Sequence, residues 1–192
     1  MPLLLCGLDE AGRGPLAGPV CAAAVILGAE FPFEVLDDSK RLSEKKREIA
    51  MRVIYEKALA WGIGWASNQD IDEINILRAS LLAMERAYYA MHLRADEALV
   101  DGLYVPNLDI PCKALVKADS TIPAVMAASI LAKTARDRMM MRYSWLYPEY
   151  GYEKHKGYPT KMHFERIAQY GESPLQRRSF RLDKSKQWEL NL

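Results

Sequence analysis

Short runs of apolar residues along the chain predict the strands of a sheet. Five such runs lie at residues 3–9, 21–27, 62–66, 98–100 and 114–116. The first two are joined by a segment rich in glycine and proline, which is typical of a connection between neighbouring strands. The last two are short and end close to Asp101 and Lys117, and we expect them to be buried strands.

Longer stretches in which apolar residues recur every three or four positions predict helices. Ser43 is the predicted N-cap of one helix, and the apolar residues after it share one face. Asp70 followed by Glu73 is a variant of the capping box and predicts the start of a second helix. Pro123 lies in the predicted first turn of a third helix. In the C-terminal part of the chain one clear helix is predicted, at residues 161–170.

The order of these elements predicts an α/β layered domain with a mixed sheet. With 192 residues, half of them apolar, the chain can fill one core but not two ordinary domains. Near its C-terminus the composition becomes aromatic, basic and richer in glycine. We therefore divide the chain into a main domain, residues 1–145, and a C-terminal helical extension, residues 146–192.

The chain is expected to be a cytoplasmic protein without a membrane partner. Its longest apolar stretches, residues 2–8 and 20–27, fall far short of the roughly 20 residues that a membrane-spanning helix needs. The first residues lack the basic region and the small-residue cleavage site of a signal peptide, and they fit a strand better.

The cysteines and histidines show no pattern of metal ligands. Cys6, Cys21 and Cys112 are an odd number, widely spaced and without a CxxC pair. Neither a disulfide framework nor a zinc site is predicted, and all three are expected to be core thiols. His155 and His163 lie in the C-terminal segment without the spacing of zinc ligands.

Charge is distributed unevenly along the chain. The formal net charge is +1, but residues 151–192 hold nine Lys or Arg and five Asp or Glu, a net charge of +4. The preceding residues therefore carry a net charge of −3. A basic tail favours a polyanionic partner such as nucleic acid, and a solvated charged surface is the alternative.

Four acidic residues lie where predicted strands end. Asp9 and Glu10 end the first strand, Asp101 ends the fourth, and Asp119 follows the fifth. Adjacent side chains in a strand point to opposite faces, so Asp9 and Glu10 can serve one site only if the strand ends there. The glycines that follow permit such an ending. Carboxylates at the carboxyl ends of neighbouring strands can converge in one crevice.

A cluster of these four carboxylates predicts a site for divalent cations. Packed together they would repel one another, and cations that prefer oxygen ligands, Mg²⁺ or Mn²⁺, relieve that repulsion. Two such ions ~3.5 to 4 Å apart can activate a water and stabilise the leaving oxygen of a phosphodiester. The alternative is that each Asp only caps a turn.

Three further features are candidates for contact with a sugar–phosphate chain. Gly12-Arg13-Gly14 is either a simple turn or a backbone that approaches a sugar or phosphate closely, since its spacing fits no nucleotide-binding loop. Lys40 precedes a helix cap and is either a phosphate ligand or a solvated lysine. Tyr158 lies among cations and is either a ring that stacks on a sugar or base, or a buried core residue.

Taken together and in this order, the motifs resemble ribonuclease HII, the bacterial type 2 ribonuclease H. The segments that carry the resemblance are residues 7–20, 38–43, 100–102, 117–119, 127–133, 155–160 and 177–180. They cover about positions 3 to 181, and the set is far more specific than any one short motif.

The resemblance implies a ribonuclease H-like fold with a five-stranded mixed sheet flanked by helices, plus a C-terminal helical extension. Residues 1–145 would be the catalytic domain and residues 146–192 the basic, substrate-binding extension. The residues that match the family's metal-binding acids are Asp9, Glu10, Asp101 and Asp119. Those that match its substrate contacts are Gly12, Arg13 and Gly14 at the ribose 2′-hydroxyl, Tyr158 stacked on the next sugar, and Lys40 at a backbone phosphate.

The implied function is metal-dependent endonucleolytic cleavage by a monomer. Its substrates would be the RNA strand of RNA/DNA hybrids and single ribonucleotides in duplex DNA, cut on their 5′ side to give 3′-hydroxyl and 5′-phosphate ends. Two alternatives stay open, because fold and acidic residues do not define a substrate. One is a general metal nuclease or DNA-junction resolvase, and the other is a non-catalytic nucleic-acid-binding module that uses the basic tail.

Overall fold

The computed structural model describes residues 3–37, 39 and 41–180. Lys40 therefore lies outside the described residues. The described strands and helices follow in the order β1 (Leu5–Ala11), β2 (Val20–Ile26), α1 (Glu44–Lys57), β3 (Ala60–Ala66), α2 (Asn68–Tyr89), β4 (Glu97–Asp101), β5 (Cys112–Leu115), α3 (Pro123–Leu146), α4 (Tyr152–His155) and α5 (Lys161–Tyr170).

The strands form one mixed sheet, as the sequence predicts. Their order in space is β3-β2-β1-β4-β5. The pairs β1–β2 and β2–β3 are antiparallel, whereas β1–β4 and β4–β5 are parallel. The expectation of a buried fifth strand is wrong. Because β5 lies at the edge of the sheet, Leu115 and the adjacent Val116 are exposed.

Helices cover both faces of the sheet, which explains why β2 is apolar throughout. Ala22 and Ala24 belong to a core that includes residues of α2. Ala23 and Val25 belong to a second core, shared with α1 and α3. On β1 a Cβ atom at Gly7 would lie 2.1 Å from the carbonyl carbon of Ala124, so glycine lets the start of α3 pack directly on the strand.

The helix starts agree with the sequence in one case and differ in another. Ser43 caps α1, and its hydroxyl accepts a hydrogen bond from Lys46 N. The predicted cap Asp70 is wrong, because Ser67 caps α2 and Asp70 is the third residue of the helix. The Asp70 carboxylate accepts a hydrogen bond from Ser67 N at 2.7 Å, and Asp70 N donates to Ser67 Oγ at 3.0 Å. This is a complete capping box, displaced by three residues.

The described part of the C-terminal segment packs against the loop between β1 and β2. A third apolar cluster consists of Ala17, Met140, Tyr150, Tyr152 and Leu175. Ala17 also forms an isolated antiparallel bridge with Gln176. The loop is thus held between the end of α3 and the C-terminal segment.

Two of the three cysteines are core thiols, as expected: Cys6 and Cys21 are buried, whereas Cys112, on the edge strand β5, is only partly buried. Cys6, Cys21 and Cys112 are free, and burial raises the pKa of Cys6 to about 12 and that of Cys112 to about 11. Such thiols are poor nucleophiles. Among the described residues, no helix combines the length and apolar character needed to cross a membrane.

Candidate active site

The parallel pairing of β1 with β4 brings two predicted site residues to one end of the sheet. The last paired residues are Leu8 and Val100, so Asp9 and Asp101 are the next residues on adjacent strands that run in the same direction. Asp9 is buried, and Asp101 ends β4. We call the region around Asp9 and Asp101 the acidic end of the sheet. It follows directly from the register of β1 against β4.

The expectation that β1 ends at Asp9 and Glu10 is wrong in one respect. On the β2 side pairing continues through Ala11, with Glu10 opposite Ala22. On the β4 side pairing stops at Leu8, opposite Val100, one residue before β4 ends at Asp101. From Asp9 onwards β1 therefore stays paired with β2 but is no longer paired with β4.

The fourth predicted acid is attached to the same end of the sheet by a short turn. Ala118 N donates a hydrogen bond of 2.8 Å to Asp101 Oδ1. Ala118, Asp119 and Ser120 form a single 3₁₀ turn after β5, in which Asp119 is buried. The turn begins after Lys117, whose φ of 63° lies in the left-handed region and reverses the chain locally. The carboxylate of Asp101 thus anchors the turn that carries Asp119.

Burial and mutual repulsion govern the ionisation of the first two carboxylates. Burial raises the pKa of Asp9 well above its ordinary value, and the charges of Glu10 and Asp101 raise it further. Burial also raises the pKa of Glu10, against the effect of Arg13, whose Nη1 lies 3.3 Å from Glu10 Oε1. These acids therefore have more negative charge around them than their surroundings neutralise, which favours a bound cation.

The donor set fits a hard divalent cation. Carboxylate oxygens suit Mg²⁺ and Mn²⁺, whereas zinc sites use mainly histidine and cysteine. Within residues 3–37, 39 and 41–180, no three His, Cys, Asp or Glu side chains have the mutual geometry of a complete metal site. The acidic end of the sheet brings the acids into one neighbourhood without fixing a ligand geometry.

Two buried serines support Asp9, and motif reasoning gave neither of them a role. The side chain of Ser129, on α3, forms a hydrogen bond with Asp9. Ser129 Oγ also lies 2.8 Å from Ser39 Oγ. Both serines are buried. The sequence signal that could have identified Ser129 is its hydroxyl on the otherwise apolar face of α3, because a buried polar group needs hydrogen-bond partners.

The glycine-rich loop between β1 and β2 is fixed from within by Arg177. This side chain is fully buried. Its guanidinium donates hydrogen bonds to the carbonyl oxygens of Gly12 at 2.6 Å, Pro15 at 2.7 Å, Gly18 at 2.8 Å and Arg13 at 3.0 Å. Burial, and then the nearby charge of Arg136, lower the pKa of Arg177 to about 9. A planar donor with several N–H groups can satisfy so many carbonyls at once.

A second buried arginine, Arg136 on α3, lies beneath the same loop. It donates hydrogen bonds to Pro19 O at 3.0 Å and to Ala17 O at 3.3 Å. Gly12 has a φ of 102°, and a Cβ atom there would lie 2.0 Å from Arg136 Nε. Both the backbone conformation and the contact therefore require glycine. Sequence reasoning missed Arg136, because an arginine in a helix is usually at the surface.

Tyr158 lies beside this loop and is not a core residue. Its side chain is partly exposed, at 40%, so the buried alternative is wrong. A Cβ atom at Gly14 would lie 3.6 Å from the Tyr158 ring, and the Arg136 guanidinium carbon lies 6.0 Å from the ring centroid. The predicted loop and the predicted stacking residue are therefore neighbours.

The strand order and the acidic end of the sheet define a class, the α/β nucleases with a ribonuclease H-like fold. A family model described as Ribonuclease HII matches residues 6–183. The Ribonuclease HII of Treponema denticola is 60% identical over 193 aligned positions, covering 92% of this chain and 98% of that protein. The Ribonuclease HII of Dechloromonas aromatica is 55% identical, covering 92% of this chain and 90% of that protein. The chain belongs to the ribonuclease HII family, and it is a hydrolytic nuclease.

Solved structures share the fold across nearly the whole chain. The ribonuclease H2 of Pyrococcus horikoshii OT3 superposes with a TM-score of 0.78 at 24% identity, covering 98% of this chain and 99% of that one. Bst-RNase HIII in complex with Mn²⁺ gives a TM-score of 0.72 at 18% identity, covering 93% and 67%. The predicted ribonuclease H-like fold is confirmed.

Proposed function

We propose that this nuclease cuts the RNA strand of RNA/DNA hybrids and the 5′ side of single ribonucleotides embedded in duplex DNA. The products would carry 3′-hydroxyl and 5′-phosphate ends. One observation carries the proposal. Gly12 follows directly on β1, the strand that bears Asp9 and Glu10, so a backbone that can approach a ribose 2′-hydroxyl begins within three residues of the acids.

We further propose that Asp9, Glu10, Asp101 and Asp119 would hold Mg²⁺ or Mn²⁺. Such ions, when bound, supply an activated water and stabilise the leaving oxygen of the phosphodiester. The oxygen-rich donor set and the raised pKa of Asp9 support this proposal. So does the Mn²⁺ complex of Bst-RNase HIII, a protein of the same fold.

Recognition of the ribonucleotide would belong to the residues beside the acids. Arg177 donates hydrogen bonds to the carbonyl oxygens of Gly12 and Arg13, so the loop backbone is immobilised where the chain leaves β1. The backbone at residues 12–14 can then meet a 2′-hydroxyl at a defined place, and the exposed ring of Tyr158 can stack on the adjacent sugar.

The C-terminal extension, residues 146–192, would be the substrate-binding part and residues 1–145 the catalytic part. Tyr158 and the exposed Lys154 and Lys161 belong to the extension. A net charge of +4 after residue 150 suits a phosphate backbone. Lys40 is proposed as a further phosphate contact, and a cytoplasmic monomer as the form that acts on the duplex.

A cleavage assay with three end-labelled duplexes tests the function. The duplexes carry zero, one or four successive ribonucleotides, and the products are mapped on a sequencing gel with and without a chelator. We expect cutting of the second and third duplexes only, 5′ to the single ribonucleotide, and no cutting in chelator. Equal cutting of the all-DNA duplex would favour the general nuclease or resolvase. Binding without any scission would favour the non-catalytic module.

A further inference from the structure

Two histidines that the proposed function does not use lie directly beneath the backbone of residues 157–160, which we call the Tyr158 turn. The imidazole rings of His155 and His163 are stacked, with centroids 4.3 Å apart and an interplanar angle of 18°. Both are buried. The ring of Tyr152 meets both imidazoles edge-on. These contacts build a compact aromatic support at the start of the C-terminal extension.

The hydrogen bonds of the two rings assign their tautomers. Gly157 N donates to His155 Nδ1 at 3.2 Å, so His155 must carry its proton on Nε2, which lies 2.9 Å from Tyr150 O. His163 Nδ1 lies 3.0 Å from Tyr158 O and must donate to it, since a carbonyl only accepts. Because its Nδ1 accepts a hydrogen bond, His155 is neutral, and each of the two rings uses its Nδ1 to hold the Tyr158 turn.

The backbone around Tyr158 is consequently bound on two sides. On the inner side, Tyr158 N donates to His155 O at 2.8 Å, and His163 holds the Tyr158 carbonyl. On the outer side, Leu16 N donates to Gly157 O at 2.8 Å. A turn held in this way gives the Tyr158 ring a defined position relative to the glycine-rich loop.

The hydrogen bond from His163 to Tyr158 O indicates a role for this side chain beyond packing in the core. Within the described part of the chain, its Nε2 is buried and has no hydrogen-bond partner, which is a cost that a phenylalanine ring would avoid. The feature that phenylalanine lacks is the Nδ1–H that holds Tyr158 O. Burial, and then the facing His155, lower the pKa of His163 to about 4, so the ring stays neutral with its single donor directed at that carbonyl.

We propose that His163, supported by stacking on His155, is a positioning residue that sets the Tyr158 ring for cleavage at a single ribonucleotide. The proposal rests on the proposed role of Tyr158. His163 acts through the backbone of Tyr158 and touches no substrate. Its loss should lower the turnover number more than it weakens binding, because a misplaced ring leaves the sugar poorly oriented while most phosphate contacts persist.

The test compares three replacements of His163 on the duplex with one ribonucleotide. Phenylalanine keeps the ring and loses the donor, asparagine places an amide N–H near the position of Nδ1, and glutamine carries its amide one bond further out. We expect His163→Phe and His163→Gln to lower kcat about fivefold to tenfold, as for loss of one neutral hydrogen bond. His163→Asn should stay within about twofold of wild type. His92→Asn, at an exposed position, is the control.

A double-mutant cycle separates positioning from general destabilisation. If His163 acts through Tyr158, His163→Gln should have no further effect in the Tyr158→Ala background. Rates are normalised to folded protein by circular dichroism, and the Asn and Gln pair keeps the comparison valid if the Phe variant does not fold. A full effect of His163→Gln in that background overturns the inference. So does an unchanged kcat of His163→Gln when Tyr158→Ala alone lowers it.

Two further outcomes concern the proposed function. If Tyr158→Ala itself leaves kcat unchanged, the proposed role of Tyr158 fails, and the inference fails with it. The proposed cleavage specificity is judged independently, by the product ends from the wild-type protein. Correct product ends together with an inert Tyr158→Ala would reject the positioning role and leave the ribonuclease function standing.

Discussion

At Asp9 the proposed metal-binding role and the stability of the fold favour different side chains. Its pKa is raised by burial and by neighbouring acids, so its ionised form opposes folding at neutral pH when no cation is added. We expect Asp9→Asn to lower cleavage by more than about 100-fold and to raise Tm in chelator. Single-turnover rates and thermal melts measure both. Undiminished cutting by the variant would contradict the proposed metal site.

Ser129, on α3, supports the Asp9 side chain by a hydrogen bond. It forms hydrogen bonds with Asp9 and with Ser39. Ser129→Ala should lower kcat about 10-fold to 100-fold, as for other groups that orient metal ligands, and it should weaken apparent Mn²⁺ affinity in calorimetry. Ser144→Ala is the matched control, because Ser144 is also buried on α3 and its hydroxyl donates a hydrogen bond within its own helix, to Met141 O. Equal effects of the two variants would show that Ser129 has no special role.

His163 predicts a pH dependence of stability with a definite sign. Its pKa is about 4 in the folded protein and about 6.5 in an unfolded chain. The neutral ring faces His155, Tyr152 and the Tyr158 carbonyl. Because the unfolded chain takes up the proton first, stability that is present above about pH 6.5 is lost as the pH falls towards 4.

Urea denaturation of wild type and His163→Phe measures this loss. Between about pH 7 and pH 4 the wild-type protein should lose about 3 kcal/mol more free energy of unfolding than the variant. Parallel pH profiles for the two proteins would mean that the pKa of His163 is the same in the folded and the unfolded protein, and would contradict the prediction. His92→Phe, at an exposed position, should follow wild type.

At the scale of elements, the loop between β1 and β2 depends on a single guanidinium. Arg177 binds four carbonyl groups of this loop, and lysine offers neither the planar fork nor enough donors to replace it. We expect Arg177→Lys to lower the free energy of unfolding by about 3 kcal/mol and to impair cleavage at a single ribonucleotide. Arg178→Lys, the exposed neighbour, should change stability by less than about 0.5 kcal/mol. Denaturant titration of both variants is the measurement.

Elements whose signals are local were the ones the sequence located well. The helix predicted at residues 161–170 is α5, and Ser43 caps α1 as expected. The start of α2 was displaced, because Ser67 and Asp70 are both good capping residues and the choice depends on where β3 ends. Pairing of β1 extends further on the β2 side than on the β4 side. This difference depends on the partner strands, which the residues of β1 do not specify.

At the scale of the whole molecule, the C-terminal extension is part of the core. Tyr150, Tyr152 and Leu175 share an apolar cluster with Ala17 and Met140. Removing the extension would expose that cluster and release the loop held by Arg177. Substrate affinity is therefore better tested by neutralising surface charge than by truncation.

Lys154 and Lys161 are the described exposed lysines for this test. The double replacement by Gln should weaken hybrid binding and reduce the slope of log affinity against log salt by about 1 to 2, as for the loss of one or two phosphate contacts. Lys113→Gln is the control, since Lys113 pairs with Glu97 near the other end of β4 and β5. Fluorescence anisotropy over a series of salt concentrations measures the slope. If the slope is the same in all three proteins, these lysines do not contact phosphate.

The sequence by itself determined the alternation of strands and helices, the acidic residues at strand ends, and the family. These features follow from short-range periodicity and from motifs that stay contiguous along the chain. Only the tertiary structure decided that Arg136 and Arg177 are buried under the glycine-rich loop and that His155 and His163 stack beneath Tyr158. Arg177 meets its carbonyl partners more than 150 residues away along the chain. Whether a charged or titratable side chain is solvated or buried depends on such distant partners, and no local pattern reveals them.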